Sequence, residues 1–204
     1  YKGVIALYNR KDLLGLRDLS ADEIMTILNT AKEMKAKIDN PSLRDDSLSK
    51  SSIVTLFYEN STRTKMSFML AGDYQGAIVK DLGVATSSVS KGESLVDTGV
   101  TLDQMGINIM IIRHQMTGAA HLLAKNVKAS VVNAGDGSNE HPTQALLDLF
   151  TIMEKKGSFE GLKVVILGDI SHSRVARSNA FGLTKLGAKV TLAGPSTLVS
   201  NSMK

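Results

Sequence analysis

The chain has 204 residues, and its 24 lysines and arginines against 20 aspartates and glutamates leave a net charge of +4 with histidine neutral. That length permits one substantial domain or two small ones, and 43 % apolar residues exclude a disordered composition. No cysteine is present, which excludes disulfides, cysteine-ligated zinc, iron–sulfur clusters and thiolate catalysis together.

Charges of both signs are interspersed, so the excess of +4 points to no particular partner. Aromatics make up only 4 % of the chain and no basic run alternates with them, so nucleic acid is not expected as a partner. The start, Tyr1 to Leu14, has a short apolar run before charges return, unlike a secretory leader. No stretch approaches the ~18 apolar residues of a membrane span, so the sequence predicts a soluble protein without membrane contact.

The first clear element opens with Ser20-Ala-Asp-Glu23, in which Ser20 and Glu23 can cap each other's amides. Ile24, Ile27, Leu28, Ala31, Met34 and Ile38 then follow at helical spacing, which predicts a packing helix with one buried face. From residue 53 strands and helices alternate. Strands are predicted at 53–57, 77–82, 107–112 and 129–133, with helices at about 62–74, 92–105, 118–126 and 142–155. Gly157 to Gly161 marks a break, after which a strand at 162–167, a helix at 174–186 and a strand at 189–193 form one further βαβ unit. The expected fold is therefore α/β: a parallel sheet flanked by helices over residues 1–155, and the beginning of a second α/β domain over 156–204. In such sheets the loops leaving the strands carry the chemistry.

Five segments occupy those loops. Ser61-Thr62-Arg63-Thr64 joins the first strand to a helix and gathers amides, hydroxyls and a guanidinium in a volume suited to phosphate. A lone Ser or Thr there would be read as a cap, but Arg63 inside the turn shifts the balance towards an anion. Arg113-His114 leaves the third strand. Arg113 is either surface charge or aimed across the crevice, and His114 is better read as a surface or satisfied structural histidine. Asn133 to Gln144 joins the fourth strand to a helix; Pro142 suits the first helical position, which puts His141 at the cap and Gln144 within the first turn. Thr86 to Glu93 is a hydroxylated loop in which Lys91 matters only if an anion lies within reach. Gly168 to Ser178 stands where a dinucleotide fold would carry G-x-G-x-x-G but lacks that pattern, and no P-loop occurs anywhere; Arg174 can instead meet an acidic substrate. The four histidines show no His-x-x-x-His pair and no three-ligand spacing, so neither metal nor other cofactor is expected.

These segments, taken in order, resemble the aspartate/ornithine carbamoyltransferase family, and the resemblance spans almost the whole chain. The run from Asn133 through Gln144 into Ile152 carries most of its specificity. Gly168 to Arg174 and Thr143, where ornithine enzymes generally resemble His-Pro-Cys-Gln, favour the aspartate-using branch. Lys65 stands where that pattern usually has Arg, and Met69 where it often has Glu.

The resemblance implies a cytoplasmic enzyme that transfers the carbamoyl group of carbamoyl phosphate to the amino group of L-aspartate, in pyrimidine biosynthesis. It gives Ser61, Thr62, Arg63 and Thr64 the phosphoryl end. Thr64, Arg113 and His141 polarise the carbonyl oxygen, Gln144 orients the carbamoyl nitrogen, and Arg174 faces an aspartate carboxylate. Ser87 and Lys91 reach into a neighbouring subunit's site, which implies a homotrimer with shared active sites and leaves room for regulatory chains. It also implies that the chain is truncated after the start of its second domain. The alternatives are an ornithine carbamoyltransferase and a carbamoyl-phosphate-binding assembly subunit without catalysis.

Overall fold

The computed structural model of the chain describes residues 9–83 and 92–199. Helix α1 (Ala21–Asp39) begins with the expected reciprocal cap: Ser20 N donates to Glu23 Oε2 at 2.7 Å and Glu23 N to Ser20 Oγ at 3.1 Å. Its apolar face buries Ile24 and Leu28, but Ile38 is 58 % exposed. Lys37 takes the inward place in that last turn, where its ammonium bonds Asp45 and its carbonyl oxygen accepts from Arg44 Nε.

Chain packing divides the described residues into two units. One comprises residues 10–14 and 33–136, and it holds a four-stranded, fully parallel sheet of order β2-β1-β3-β4. Its elements are β1 (Ser52–Phe57), α2 (Thr62–Asp73), β2 (Ile78–Leu82), α3 (Leu95–Gln104), β3 (Ile109–His114), α4 (Ala119–Asn126) and β4 (Ser130–Asp136). Alternation along the strands supplies both faces of the sheet. Val54, Leu56, Met110 and Ile112 pack with Leu123 and Ala120 of α4, and Leu95 and Leu102 of α3 lie against the same cluster. Ile53, Phe57 and Ile111 form the other cluster, with Phe68 of α2 against it.

The β4 edge is covered by the segment before α1. Leu13 bridges Val132, Asp12 Oδ1 accepts from Val131 N at 2.8 Å, and Lys11 Nζ donates to the carbonyl oxygens of Ala124, Val127 and Ala129, each at 3.1 Å. A cation on the carbonyls at and beyond the end of α4 satisfies groups that the helix itself leaves open.

The second unit contains residues 15–32 and 137–199 among those described. It holds α5 (Pro142–Lys156), β5 (Lys163–Leu167), α6 (Arg174–Lys185) and β6 (Lys189–Ala193), with β5 and β6 forming a two-stranded parallel sheet. The packing division falls at 136/137. The reason is the close approach of α5 to α6: a Cβ on Gly182 would lie 2.7 Å from Leu149 Cδ1 and 2.9 Å from Leu16 Cδ1. Lys185 Nζ adds bonds to the carbonyl oxygens of Arg17 and Leu19 at 2.8 and 2.6 Å. On β5, Val165 and Leu167 are 64 and 79 % exposed.

Candidate active site

In the order β2-β1-β3-β4 the chain leaves β1 on one side and returns to lay β3 on the other. A crevice therefore opens at the carboxyl ends of β1 and β3, the place where sheets of this kind bind ligands. Residues 58–64 and Arg113 occupy it.

Ser61 is the N-cap of α2, with extended backbone, but its hydroxyl makes no capping hydrogen bond. The serines that begin α3 and α6 do cap, Ser94 accepting from Asp97 N and Ser173 from Ala176 N. No acidic residue lies in the first turn of α2. Its amides, the hydroxyls of Ser61, Thr62 and Thr64 and the exposed Arg63 thus leave a helix start with the partial positive charge that favours an anion.

Arg113 lies within β3 rather than beyond it, because the strand begins and ends two residues later than the sequence predicts. It pairs with Phe57 across the sheet, and its carbonyl oxygen accepts from Tyr58 N at 2.9 Å, so the β1 exit and the β3 end are joined by backbone. Its Nε donates to Glu59 Oε2 at 3.1 Å, and the two side chains are 17 and 25 % exposed. Glu59 lies just before the hydroxyl turn that the sequence singles out, yet sequence reasoning gives it no role. The only available signal was its place between a buried strand and the hydroxyl turn, which gives no hint of a partner 54 residues away.

His114 is the structural histidine that the sequence suggests. Its Nδ1 accepts from Met116 N at 2.9 Å, and its ring lies 4.6 Å from that of Tyr58. Burial lowers its pKa from the ordinary 6.5, against the opposing charges of Glu59 and Asp136. Lys65, the departure from the family pattern, turns to β2: Nζ lies 2.9 Å from Asp81 Oδ2, and Asp81 Oδ1 accepts from the buried Thr55 hydroxyl at 2.6 Å. Nothing in the structure explains Met69.

The register of β3 against β4 shifts between Ile112 and His114, where Ala134 and Gly135 are accommodated as a bulge. Fully buried Asn133 fixes this bulge: its Oδ1 accepts from Gly135 N, and its Nδ2 donates to Leu14 O and Asp136 Oδ1. Asp136 Oδ2 in turn accepts from Gly118 N at 2.7 Å, at the start of α4. A bulge next to a strand end bends the chain out of the ladder, and here it sets the exit of β4.

Three further predicted site residues, His141, Gln144 and Arg174, belong to the second unit. His141 is the buried N-cap residue of α5, with Pro142 in the first turn as expected. Its backbone N–H donates to Ser178 Oγ at 2.9 Å, and that hydroxyl donates to Glu140 Oε2 at 3.0 Å. Glu140, itself buried, also accepts from Leu16 N at 2.7 Å and Arg17 N at 3.3 Å. This carboxylate is a further residue that sequence reasoning missed, since its donors are a hydroxyl 38 positions later and two backbone groups more than 120 positions earlier. Gln144 donates from Nε2 to Asp148 Oδ1 at 3.0 Å. Arg174 opens α6 and donates to Gly137 O at 3.2 Å, so the α6 start and the loop before His141 are held together. Asp169 bonds the exposed His172, which holds its carboxyl below the ordinary carboxylate range.

The structure therefore groups Ser61, Thr62, Arg63, Thr64 and Arg113 in one unit and His141, Gln144 and Arg174 in the other. Ser87 and Lys91 lie outside the described residues. Among the described residues no cluster of His, Asp or Glu could hold a metal ion, and no helix is long and apolar enough to cross a membrane. Chemically, the first group offers donors and positive charge to a compact anion, and the second offers an imidazole, an amide and a guanidinium to a small polar molecule.

Residues 11–154 match the family described as aspartate/ornithine carbamoyltransferase, carbamoyl-P binding domain. The chain is 65 % identical over 189 residues to the aspartate carbamoyltransferase catalytic subunit of Acetivibrio thermocellus, covering 93 % of this chain and 61 % of that protein. It is 57 % identical over 197 residues to that of Desulforamulus reducens, covering 97 and 63 %. Among solved structures it superposes with a TM-score of 0.88 on Trypanosoma cruzi aspartate transcarbamoylase in complex with carbamoyl phosphate and aspartate, at 30 % identity and covering 98 % of this chain and 62 % of that one. The catalytic subunit of the M. jannaschii enzyme gives 0.85 at 35 % identity, covering 95 and 64 %. The chain thus spans about three fifths of the length of these relatives. With the match extending over the crevice, the hydroxyl turn and the His141 helix, this chain belongs to the aspartate/ornithine carbamoyltransferase family.

Proposed function

We propose that this chain acts in an aspartate carbamoyltransferase, transferring the carbamoyl group of carbamoyl phosphate to the amino group of L-aspartate to give N-carbamoyl-L-aspartate and phosphate in pyrimidine biosynthesis. The observation that carries this reading is the uncapped start of α2 beside Arg113 at the sheet's crevice, since donors and a fixed guanidinium there suit a phosphate ester. A relative 65 % identical over 189 residues carries that name, and the T. cruzi neighbour was solved in complex with carbamoyl phosphate and aspartate.

In this reading Ser61, Thr62, Arg63 and Thr64 hold the phosphoryl group. Thr64, Arg113 and His141 polarise the carbonyl, and Gln144 accepts from the carbamoyl nitrogen. Arg174 takes an aspartate carboxylate. Residues 1–155 then form the carbamoyl-phosphate-binding part, and 156–204 begin the aspartate-binding part.

The aspartate amine attacks the carbonyl carbon and negative charge grows on its oxygen. Donors aimed at that oxygen stabilise the tetrahedral state more than the ground state. The C–O bond to phosphate then breaks, and the departing phosphate takes the proton lost by the amine. No covalent enzyme nucleophile is required. Ser87 and Lys91 complete the site of a neighbouring subunit in a homotrimer, regulatory chains can attach to that assembly, and a cytoplasmic setting accompanies this role.

The test is product formation from carbamoyl phosphate with aspartate or ornithine, together with calorimetry. Carbamoylaspartate, or sequential binding of carbamoyl phosphate and then aspartate, is the expected result. Citrulline would establish the ornithine reaction instead. Binding without product in the assembly that contains the complete catalytic chain would establish an assembly subunit.

A further inference from the structure

Gln144 sits in the first turn of α5, and Asp148 lies one turn further on the same helix. Gln144 Nε2 donates to Asp148 Oδ1 at 3.0 Å, and Asn179 Nδ2 of α6 donates to Asp148 Oδ2 at 2.7 Å. Each carboxylate oxygen thus receives one side-chain amide.

An ionised carboxylate can only accept hydrogen bonds. Any amide beside it must therefore turn its NH2 towards it, since the opposite orientation would set two acceptor oxygens against each other. Asn179 shows how strongly this constraint acts. Its own Oδ1 is buried without a hydrogen-bond partner, a cost that a flipped amide would merely exchange for the larger one of facing Asp148 with oxygen. Because a primary amide is planar, committing Gln144 Nε2 to Asp148 also fixes Oε1 on the opposite edge. Gln144 then turns its acceptor oxygen, with the one N–H that Asp148 does not take, towards whatever lies beyond it.

We infer that Asp148, held in place by Asn179, is a positioning residue that locks the Gln144 amide oxygen-outward and thereby selects an acyl phosphate carrying N–H donors over one carrying a methyl group. This rests on the reading of Gln144 as the group that meets the carbamoyl nitrogen. Asp148 touches no substrate itself; its effect is to deny Gln144 the orientation in which an NH2 would oppose the carbamoyl NH2. Carbamoyl phosphate and acetyl phosphate have nearly the same shape, so the pair isolates that one contact. A site built around a hydrogen bond discriminates against the analogue that lacks it.

The test is calorimetric titration of the protein with carbamoyl phosphate and with acetyl phosphate, read as the ratio of the two dissociation constants. Wild type is expected to prefer carbamoyl phosphate. Gln144→Ala abolishes the preference, and Asp148→Asn, which offers Gln144 both a donor and an acceptor, reduces the ratio by about tenfold, the scale of one net hydrogen bond. The double variant Asp148→Asn/Gln144→Ala is expected to match Gln144→Ala alone, since a residue that acts through another adds nothing once that other is gone. A merely structural role for Asp148 would instead weaken both ligands equally and add to the Gln144→Ala loss.

A wild-type ratio near one, or no binding of either ligand, overturns the reading of Gln144 and with it this inference. A wild-type preference that Gln144→Ala removes and Asp148→Asn leaves intact overturns the role of Asp148 alone. Thermal melting of each variant confirms that it is folded before the ratio is read.

Discussion

Arg113 is held in a geometry that a lysine would not reproduce. Its Nε is committed to Glu59, which orients the planar guanidinium before any ligand arrives. Arg113→Ala is expected to lower turnover about a hundredfold to a thousandfold at saturating substrates, the scale of losing one donor to a developing oxyanion, while melting stays near wild type. Near-normal turnover would remove Arg113 from the chemistry. A second residue-scale consequence concerns Asp45, whose carboxyl is brought down from 3.8 to about 2, first by its bond to Lys37 and then by Ser47. A carboxyl lowered in the folded state stabilises fully above its unfolded value and loses that contribution as pH falls through the folded one. The melting-temperature advantage of wild type over Asp45→Asn is therefore expected to hold above pH 3.8 and to vanish as the pH falls through about 2. A pH-independent difference would show that the carboxylate charge is not the cause. At this scale the sequence was read well where a residue type dictates its own surroundings. Ser20 and Glu23 cap each other and His141 precedes Pro142 as expected, because these interactions are local. Glu59 and Glu140 cannot be read this way because the donor to Glu59 lies 54 residues away and those to Glu140 lie 38 and more than 120 residues away.

Elements follow the sequence wherever burial and period agree. β1 reads Ser52–Phe57 with its last five residues buried, and a strand covered on both faces has an unbroken apolar signature with little competing helical character. For β3 the sequence predicts a start and an end two residues early, since Arg113 and His114 look like an exit. Pairing of Arg113 with Phe57 overrides that polarity and keeps the strand going. The same kind of packing decides how α3 meets α4. Gly99 of α3 is buried, and a Cβ there would fall inside the space of Leu123 Cδ1 and lie 3.3 Å from Val127 Cγ1. Gly99→Val is expected to cost about 1–3 kcal/mol by overpacking, measured as a lower urea midpoint at unchanged slope. A midpoint at or above wild type would mean that the two helices part without penalty. Composition alone could not have revealed this glycine, because its requirement comes from a leucine on the next helix.

For the whole molecule, the sequence conveyed the class of fold, because alternating strands and helices of this kind pair into a parallel sheet covered by helices. It was less informative about packing: residues 15–32 join the unit of α5 and α6, a choice made by Leu16 against Gly182. Assembly is tested by mixing two inactive proteins, Lys91→Ala and Arg63→Ala. If sites are shared between neighbours, mixed assemblies recover part of the activity because some sites then receive neither substitution. Mixed assemblies that stay inactive would confine each site to one chain.

The unspent hydroxyl of Ser61 has a last consequence. α3 and α6 tie down their first amides with their own serines, whereas α2 leaves that task undone at the very end that faces the crevice. The opening turn of α2 should accordingly fray more readily than its counterparts, and its amides at 62–64, ahead of the first helical bond from Lys65 N to Ser61 O, should trade hydrogen for deuterium fastest. Addition of inorganic phosphate or carbamoyl phosphate should slow that exchange locally, so that the anion leaves its footprint on the backbone as the missing cap.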